Sequence, residues 1–413
     1  MKILIINVNS HEGSVGKIAH GLLNFLTNRG DQALLACNGP RESDTSDPRI
    51  IKLNNKVSFF TSAILTKFIG YEGIYNKFAT DKLIETIKKF KPDVVQLYNL
   101  HGYWIDHFRV LKFLKEHNIN TVYSMLDEFP YLGICFFVSY PDYCQKYKTE
   151  CKKCPHPHGY NRSIFFDHSY TVFKRKQKLY KDFKNLIFTG PPFVVKRAKE
   201  SVLTMENIII PLDEPINFEN IFFPRDTRSL RDSLNIPQGN KVIVTVANDK
   251  YPRKGGPCFI EIANRLQDKK NITFVFVGCR QDRTNLPSNV IPISFVKSQD
   301  LLAEYYSLGD LFVCCSLADT TPNTCLEAMG CGTPIAGFRE GGIPYCADES
   351  IGTYVNTLDT KALANIIVKY PLKTKARSEE VRNYALGKFS FNVIYKKQYH
   401  IYESLIKQHH DTI

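Results

Sequence analysis

The chain has 413 residues, 43% of them hydrophobic, and a formal net charge of +13. Its length and apolar content are those of a globular protein with two domains of ordinary size. No run of about 18 apolar residues is present, which excludes a membrane-spanning helix. No nucleic-acid module accompanies the basic charge, so no nucleic-acid partner is expected.

The charge is unevenly placed. Residues 1–200 hold 30 Lys and Arg against 18 Asp and Glu, a net +12, so the basic excess belongs to the N-terminal half. Such a face suits an anionic membrane or an acidic substrate. The opening MKILIINVNS runs straight into a strand and lacks a signal-peptide cleavage pattern. A cytoplasmic setting is expected, in which thiols stay reduced, and of the twelve cysteines most of the eight that are scattered read as small core residues.

Residues 2–8 read as a strand, followed by a loop with Gly13 and Gly16 and an amphipathic helix to about Arg29. The string GSVGK is not a P-loop, which needs glycine at the position of His11 and Ser or Thr at that of Ile18. Residues 32–37 form a second strand, and 38–56 are polar and loop-like. Residues 57–71 (VSFFTSAILTKFIGY) are apolar and aromatic, with no acid, and form either a packed helix or a membrane-facing segment. A helix at 80–90 and a strand at 93–97 lead to Tyr98-Asn99-Leu100-His101-Gly102-Tyr103. A strand end opening into a His-Gly loop suits an active-site imidazole or a structural histidine. The strand 121–127 ends in the same way at Asp127.

Cys135, Cys144, Cys151 and Cys154 follow in a loop-rich segment that ends C-x2-C-P. This spacing suits a tetrahedral structural zinc as well as free thiols. Four thiolates leave no open metal position, so a catalytic role is not expected. Residues 170–184 (YTVFKRKQKLYKDFK) read as a basic helix, either a solvated face or an attachment to anionic lipid.

Residues 212–240, proline-rich and without a clear period, read as a linker. The strand 241–247 then runs into the turn NDKYPRKGG, which carries Asn248, Lys250, Arg253 and Lys254. Strands at 272–278 and 290–295 and a helix at 299–308 precede a buried strand at 310–315. Then comes SLADTTPNTCLEAMGCG, residues 316–332. Thr321 is the expected N-cap, Pro322 the first helical residue and Gly332 the left-handed stop. A strand leading through a polar turn into a helix N-terminus holds anions well. With Asp319 before the helix and Glu327 inside it, carboxylates that accept from hydroxyls join that site, as a sugar linked to phosphate requires.

Asp319 and Glu327 are separated by seven residues, E-A-M-x-C-G-T-P follows at 327–334, and G-G-I-P at 341–344. This pattern resembles the Glu-x7-Glu signature of retaining glycosyltransferases of family 4, with Asp319 in place of the first Glu. It is similar above all to the colanic-acid and capsule-type enzymes of that family. The resemblance covers nearly the whole chain and is strongest over 241–344. It implies the GT-B fold: α/β, with two doubly wound Rossmann-like domains facing a cleft. Residues 1–211 would be the acceptor-side domain with the cysteine-containing insert 135–154, and 241–377 the nucleotide-sugar domain. A C-terminal helix at 378–413 would pack back on the first domain.

The resemblance further implies transfer of a sugar, with retention, from a nucleotide-diphosphate donor of UDP or GDP type. The acceptor would be a saccharide, lipid-linked, at the inner face of the membrane, in surface polysaccharide biosynthesis. No cofactor would be required for catalysis. Glu327 would accept from ribose hydroxyls and Asp319 from sugar hydroxyls. Lys254 and the helix N-terminus around Thr320, Thr321, Pro322, Asn323 and Thr324 would face the diphosphate. His101 and Asp127 would contact donor sugar or acceptor, and Gly13 and Gly16 match the family's glycine loop. Two departures stand out: Leu126 where relatives carry His, and Asn248 where they carry Arg, whose charge Lys250 or Arg253 would replace. The alternatives are a nucleotide-sugar epimerase or phosphorylase of the same fold, and a non-catalytic nucleotide-sugar binding protein.

Overall fold

The computed structural model describes residues 1–39, 46–71, 74–138, 141–155 and 164–410. The chain divides into two compact units, one made of Met1–Val138, Asp142–Glu214 and Ile394–Ile413, the other chiefly of Pro215–Val393.

The first unit runs β1 (Lys2–Ile6), α1 (Gly13–Asn28), β2 (Gln32–Cys37), β3 (Ile50–Lys52), α2 (Lys56–Ile69) and α3 (Lys77–Phe90). It continues with β4 (Val94–Leu97), α4 (His107–Glu116), β5 (Thr121–Ser124), α5 (Ser169–Tyr180), β6 (Leu186–Gly190), α6 (Pro192–Glu200) and β7 (Ile208–Pro211). The seven strands form a parallel sheet in the order β3-β2-β1-β4-β5-β6-β7. Helices cover both faces, so the central strands are buried along their whole length, as in VVQL of β4 and LIFTG of β6. The short β3 lies inside the stretch expected to be loop: three residues are too few to show a period, and Ile51 simply continues the ladder from Ala36. Residues 40–45 of that stretch lie outside the described residues.

The second unit runs α7 (Arg228–Ser233), β8 (Lys241–Val246), α8 (Gly256–Arg265), β9 (Ile272–Val277), β10 (Val290–Ile293), α9 (Gln299–Leu308) and β11 (Leu311–Cys314). Then follow α10 (Asn323–Gly330), β12 (Ile335–Phe338), α11 (Ile343–Cys346), β13 (Gly352–Val355), α12 (Thr360–Lys369), α13 (Lys375–Phe389) and α14 (Phe391–His410). Its parallel sheet has the order β10-β9-β8-β11-β12-β13. The stretch read as a linker is largely part of this unit. Ile216, Phe218 and Phe222 are buried in its core, because a proline-rich segment without a period still carries apolar anchors.

The helix expected from 378 onwards is two helices. Ser390 is extended at the C-terminus of α13, and α14 begins at Phe391. Val381, Ala385 and Phe389 of α13 bury themselves in the second unit. From Ile394 onwards α14 belongs to the first unit. There the Tyr395 hydroxyl donates to Ile18 O (2.9 Å), and Tyr402 Oη and Gln398 Nε2 both donate to Gln96 Oε1 (2.8 Å each). Gln96 is a buried amide on a central strand, and these donors satisfy an oxygen that would otherwise cost about 1–3 kcal/mol.

Candidate active site

In the second unit the strand order reverses beside β8, between β9 and β11. In open α/β sheets the carboxyl ends of the strands at such a reversal form the ligand crevice. A cavity of about 310 Å³ lies there, lined by Asn248, Arg253, Lys254, Ser316, Asp319 and Thr324 and walled by Phe295, Val296 and Leu302. The loop after β8 is laid against the loop after β11. Gly255 has φ +79°, and a Cβ there would fall 1.9 Å from Cys315 O, so only glycine permits this approach. Arg253 O accepts from Leu317 N (2.7 Å), and Arg253 Nη1 donates to Ala318 O (3.1 Å).

This stacking brings Lys254 onto Asp319. The ammonium donates to Oδ1 (2.9 Å) and Oδ2 (2.7 Å), and the Ser316 hydroxyl donates to Oδ2 (2.9 Å). Behind them Gly342 N donates to Asp319 O (2.8 Å), and a Cβ at Gly342 would stand 1.6 Å from Thr320 O. The Gly341-Gly342 pair is thus a wedge without side chains that fixes the carboxylate loop.

Helix α10 starts one residue later than expected. Pro322, with ψ 103°, is the N-cap, Thr321 lies outside the helix, and Asn323 is the first helical residue. The proline's fixed φ suits either position, but an extended ψ places it at the cap. Asn323 Oδ1 is buried with no hydrogen-bond partner among the described residues. Glu327, one turn beyond Thr324, is not in the Lys254 cluster. Its Oε2 accepts from the hydroxyl of the buried Tyr306 on α9 (2.7 Å). Burial pushes that phenol well above its usual range, and the neighbouring carboxylate adds to the effect. Lys250 lies outside the cavity wall: it is exposed, and its amide donates to Asn248 Oδ1 (3.1 Å).

Lys373 braces α9 from behind. Its ammonium donates to Ser307 O (2.7 Å) and Thr333 Oγ1 (2.8 Å), and enclosure pushes it down to about 8 against the pull of Asp310. Below about pH 8 folded and unfolded chains both hold this proton, and the folded chain carries the cost of burying it. Between about 8 and the ordinary 10.5 the unfolded chain keeps a proton that the folded chain has shed, so this group makes stability rise with pH. Urea unfolding of the native chain and Lys373→Met from pH 7 to 10 should show the difference shifting in favour of the native chain. A pH-independent difference would mean that the ammonium titrates normally.

In the first unit the order reverses between β1 and β4, and β4 and β5 are paired. Gly13 opens α1 after β1, with φ +68°, and Gly16 is buried in the first helical turn against the backbone of His11. His101, after β4, and Asp127, after β5, are brought together: the ring Nε2 donates to Asp127 Oδ2 (2.8 Å). Asp127 Oδ1 accepts from Phe129 N (2.9 Å), and the rings of Phe129 and Phe136 lie 5.4 and 4.3 Å from the imidazole. Leu126 therefore leaves Asp127 with an imidazole partner, supplied by the neighbouring strand.

Two buried charges hold this dyad's loop. Glu128 Oε1 accepts from Arg197 Nη1 (2.6 Å), and the same carboxylate takes the Tyr131 hydroxyl and the Val138 amide. The Lys176 ammonium donates to Phe129 O (2.6 Å), Leu132 O (3.0 Å) and Gly133 O (3.0 Å) and lies 3.3 Å from the Phe129 ring centroid. Lys176, expected on a basic surface, is fully buried, with its ammonium matched by these three carbonyls. Helix α5 itself stops at Tyr180 rather than at 184.

The four clustered cysteines are half-buried thiols. Cys151 packs under Gly133, and burial raises its thiol to about 11, with smaller contributions from Cys144 and Cys154. Among the described residues no group of three or more His, Cys, Asp or Glu is gathered to hold a metal; residues 156–163, with His156 and His158, lie outside them. Sequence reasoning missed Ser316, Tyr306 and the apolar wall at 295–302. The first was signalled only by a hydroxyl just past a strand, the last by Phe295, an exposed aromatic at a strand end.

Residues 240–370 match the family model described as Glycosyl transferases group 1. The WcaC protein of Escherichia coli (strain K12), named as a colanic acid biosynthesis glycosyl transferase, is 25% identical over 381 residues, 89% of this chain and 90% of that protein. Among solved structures, sucrose-phosphate synthase from Thermosynechococcus elongatus superposes with TM-score 0.66 at 17% identity, over 99% of this chain and 100% of that one. Anabaena Alr3699/HepE, in complex with UDP and glucose, gives TM-score 0.65 at 15% identity, over 98% and 100%. The pair of parallel sheets flanked by helices is that of GT-B glycosyltransferases.

Proposed function

We propose that this chain, whose residues 240–370 form a group 1 glycosyl transferase domain, moves a sugar with retention from a nucleotide-diphosphate donor to a saccharide acceptor carried on lipid. The product would be a surface polysaccharide, a reading supported by the similarity to the WcaC protein. The observation that carries the proposal is the cavity at the β8/β11 reversal, with an apolar wall and the Lys254–Asp319 pair beside the start of α10. The wall suits a base, Glu327 the ribose hydroxyls and Lys254 the diphosphate. UDP is the first candidate nucleotide, since Alr3699/HepE was solved with it; GDP is the second.

In the reaction a bond forms between the acceptor oxygen and the anomeric carbon, on the face from which the diphosphate departs. The acceptor proton passes to the leaving phosphate oxygen, and the nucleoside diphosphate is released. Lys254 and the N-terminal amides of α10 carry the growing charge, so the protein's own groups serve where other enzymes use a metal ion. Asp319 would then accept from sugar hydroxyls, and the His101–Asp127 pair would hold sugar or acceptor. A lipid-linked acceptor places the enzyme on the cytoplasmic face of a membrane as a peripheral protein. No helix among the described residues is long and apolar enough to cross one.

A thermal-shift panel of UDP, GDP, ADP and their sugars identifies the donor, and nucleotide release is then followed with and without acceptor. Release only with acceptor is expected. An epimerase or phosphorylase would not need the acceptor, and a binding protein would release nothing. Glu327→Gln should weaken donor binding by about 1.5–3 kcal/mol, the range for a hydrogen bond to a charged group. Unchanged donor affinity and turnover in the folded variant would sink the assignment.

A further inference from the structure

Helix α2 is built inside out. Its buried residues are Phe59, Ser62 and Thr66, and the Thr66 hydroxyl is spent on Ser62 O of its own helix (2.9 Å). Its outward stripe is Val57, Phe60, Ile64 and Phe68, which are 75%, 54%, 56% and 52% exposed. Spacings of three and four place these four on one face. A helix that only had to pack would present the opposite sides.

The apolar face does not stop at the helix. Ile164 N donates to Lys67 O (2.9 Å), and the Phe165 ring stacks on Phe68 with centroids 6.4 Å apart. Ile164, Phe165 and Phe166 are themselves exposed. Next to this edge the charge is positive. Arg175 Nη1 donates to the Tyr71 hydroxyl (3.0 Å), and its guanidinium lies 4.0 Å from the Phe108 ring centroid. Arg175 opens a groove of about 490 Å³ between α4 and α5, also lined by Arg109, Lys112, Lys115 and Lys178. Acids answer only part of this: Asp81 pairs with Arg109 (2.6 Å) and Glu116 with Lys112 (3.6 Å), while Asp182 lines the far end.

We propose that the outward face of α2, continued by residues 164–166, is a docking surface for an anionic lipid bilayer. The chemistry selects a bilayer over a protein partner. The stripe offers aliphatic and aromatic surface without acids or directional hydrogen-bonding groups, apart from the Thr61 hydroxyl beside it. Lys56 and Lys67, both exposed at the ends of the helix, can extend their ammonium groups to the headgroup level while their stems lie on the apolar face. The basic groove adds a charge that zwitterionic lipid does not match. At 14 residues α2 lies in the interface and does not span it. The proposal rests on the peripheral attachment inferred above and names the surface that makes it, but its readout is binding, not transfer.

The test is flotation of the full chain with vesicles of phosphatidylglycerol and phosphatidylethanolamine, and with phosphatidylcholine alone, at low and high salt. The chain should float with the anionic vesicles at low salt and much less with either phosphatidylcholine or high salt. The triple variant Phe60→Ser, Ile64→Ser, Phe68→Ser should lose at least tenfold in vesicle-bound fraction, with an unchanged melting temperature and unchanged transfer to a water-soluble acceptor. Lys178→Gln should weaken binding and flatten its salt dependence. Absence of flotation at low salt, or full flotation of the triple variant, would overturn the proposal. So would a concentration-dependent dimer abolished by the same three changes, which would assign the face to a second copy. If flotation holds while no nucleotide sugar turns over, the transfer reading fails and the docking surface stands.

Discussion

Lys254→Ala is expected to lower kcat/KM for the donor by roughly 10²–10³-fold, most of it in kcat. Removing one preorganised donor from developing negative charge costs about that much elsewhere. The charge on a departing diphosphate is larger in the transition state than in the bound donor, so kcat falls more than KM rises. The fold should survive. The Lys254–Asp319 pair is partly open to solvent on both sides, and such pairs contribute about 0–1 kcal/mol. Ser316 continues to donate to the orphaned carboxylate. Steady-state kinetics with the donor and titration with nucleoside and nucleoside diphosphate decide the matter. Equal losses for nucleoside and diphosphate would place Lys254 away from the phosphates.

Arg197→Ala should destabilise the first unit by about 3–5 kcal/mol, the cost of leaving one partner of a buried pair uncompensated. Glu128 is enclosed, and enclosure alone drives its carboxyl upward while Arg197 pulls it back. Without the guanidinium the buried carboxylate must keep its charge on the Tyr131 hydroxyl and the Val138 amide alone, or take a proton. The deficit should therefore narrow as pH falls toward the carboxyl range. The double change Glu128→Gln, Arg197→Met removes both charges and should cost less than Arg197→Ala alone. Urea unfolding of the three variants gives these numbers. Equal losses for single and double changes would show that packing, not charge, governs the site. Because Glu128 adjoins Asp127, the single variant should also disturb the His101 contact.

Much of the architecture was legible because parallel strands buried on both faces leave continuous apolar runs, as in ITFVFV of β9, separated by amphipathic helices. What escaped depends on partners remote in the chain. Spacing pointed Lys254 and Asp319 each toward a ligand, but nothing local says that residues 65 positions apart bond to each other. His101 and Asp127 were both legible as strand-end residues, while their contact depends on β4 and β5 being neighbours. Lys176 sits in a string of cations that composition assigns to the surface, and only the fold reveals that the carbonyls of residues 129, 132 and 133 claim it. In α2 the apolar excess was visible, but not that Ser62 and Thr66 are the side turned inward.

The discontinuity of the first unit has a bearing on synthesis. Tyr395, Gln398 and Tyr402 complete an interior whose other members, Ile18, Gln96 and Tyr98, leave the ribosome 300 to 377 residues earlier. A nascent chain carrying only the first 214 residues has all seven strands of its sheet but an unanswered amide oxygen at Gln96. For the whole time that the second unit is being translated, the first must wait in an incomplete state with the seat of α14 open to solvent. Helix α14 acts as the latch, and a released chain cut after Val393 would hold a finished second unit tethered to an unfinished first.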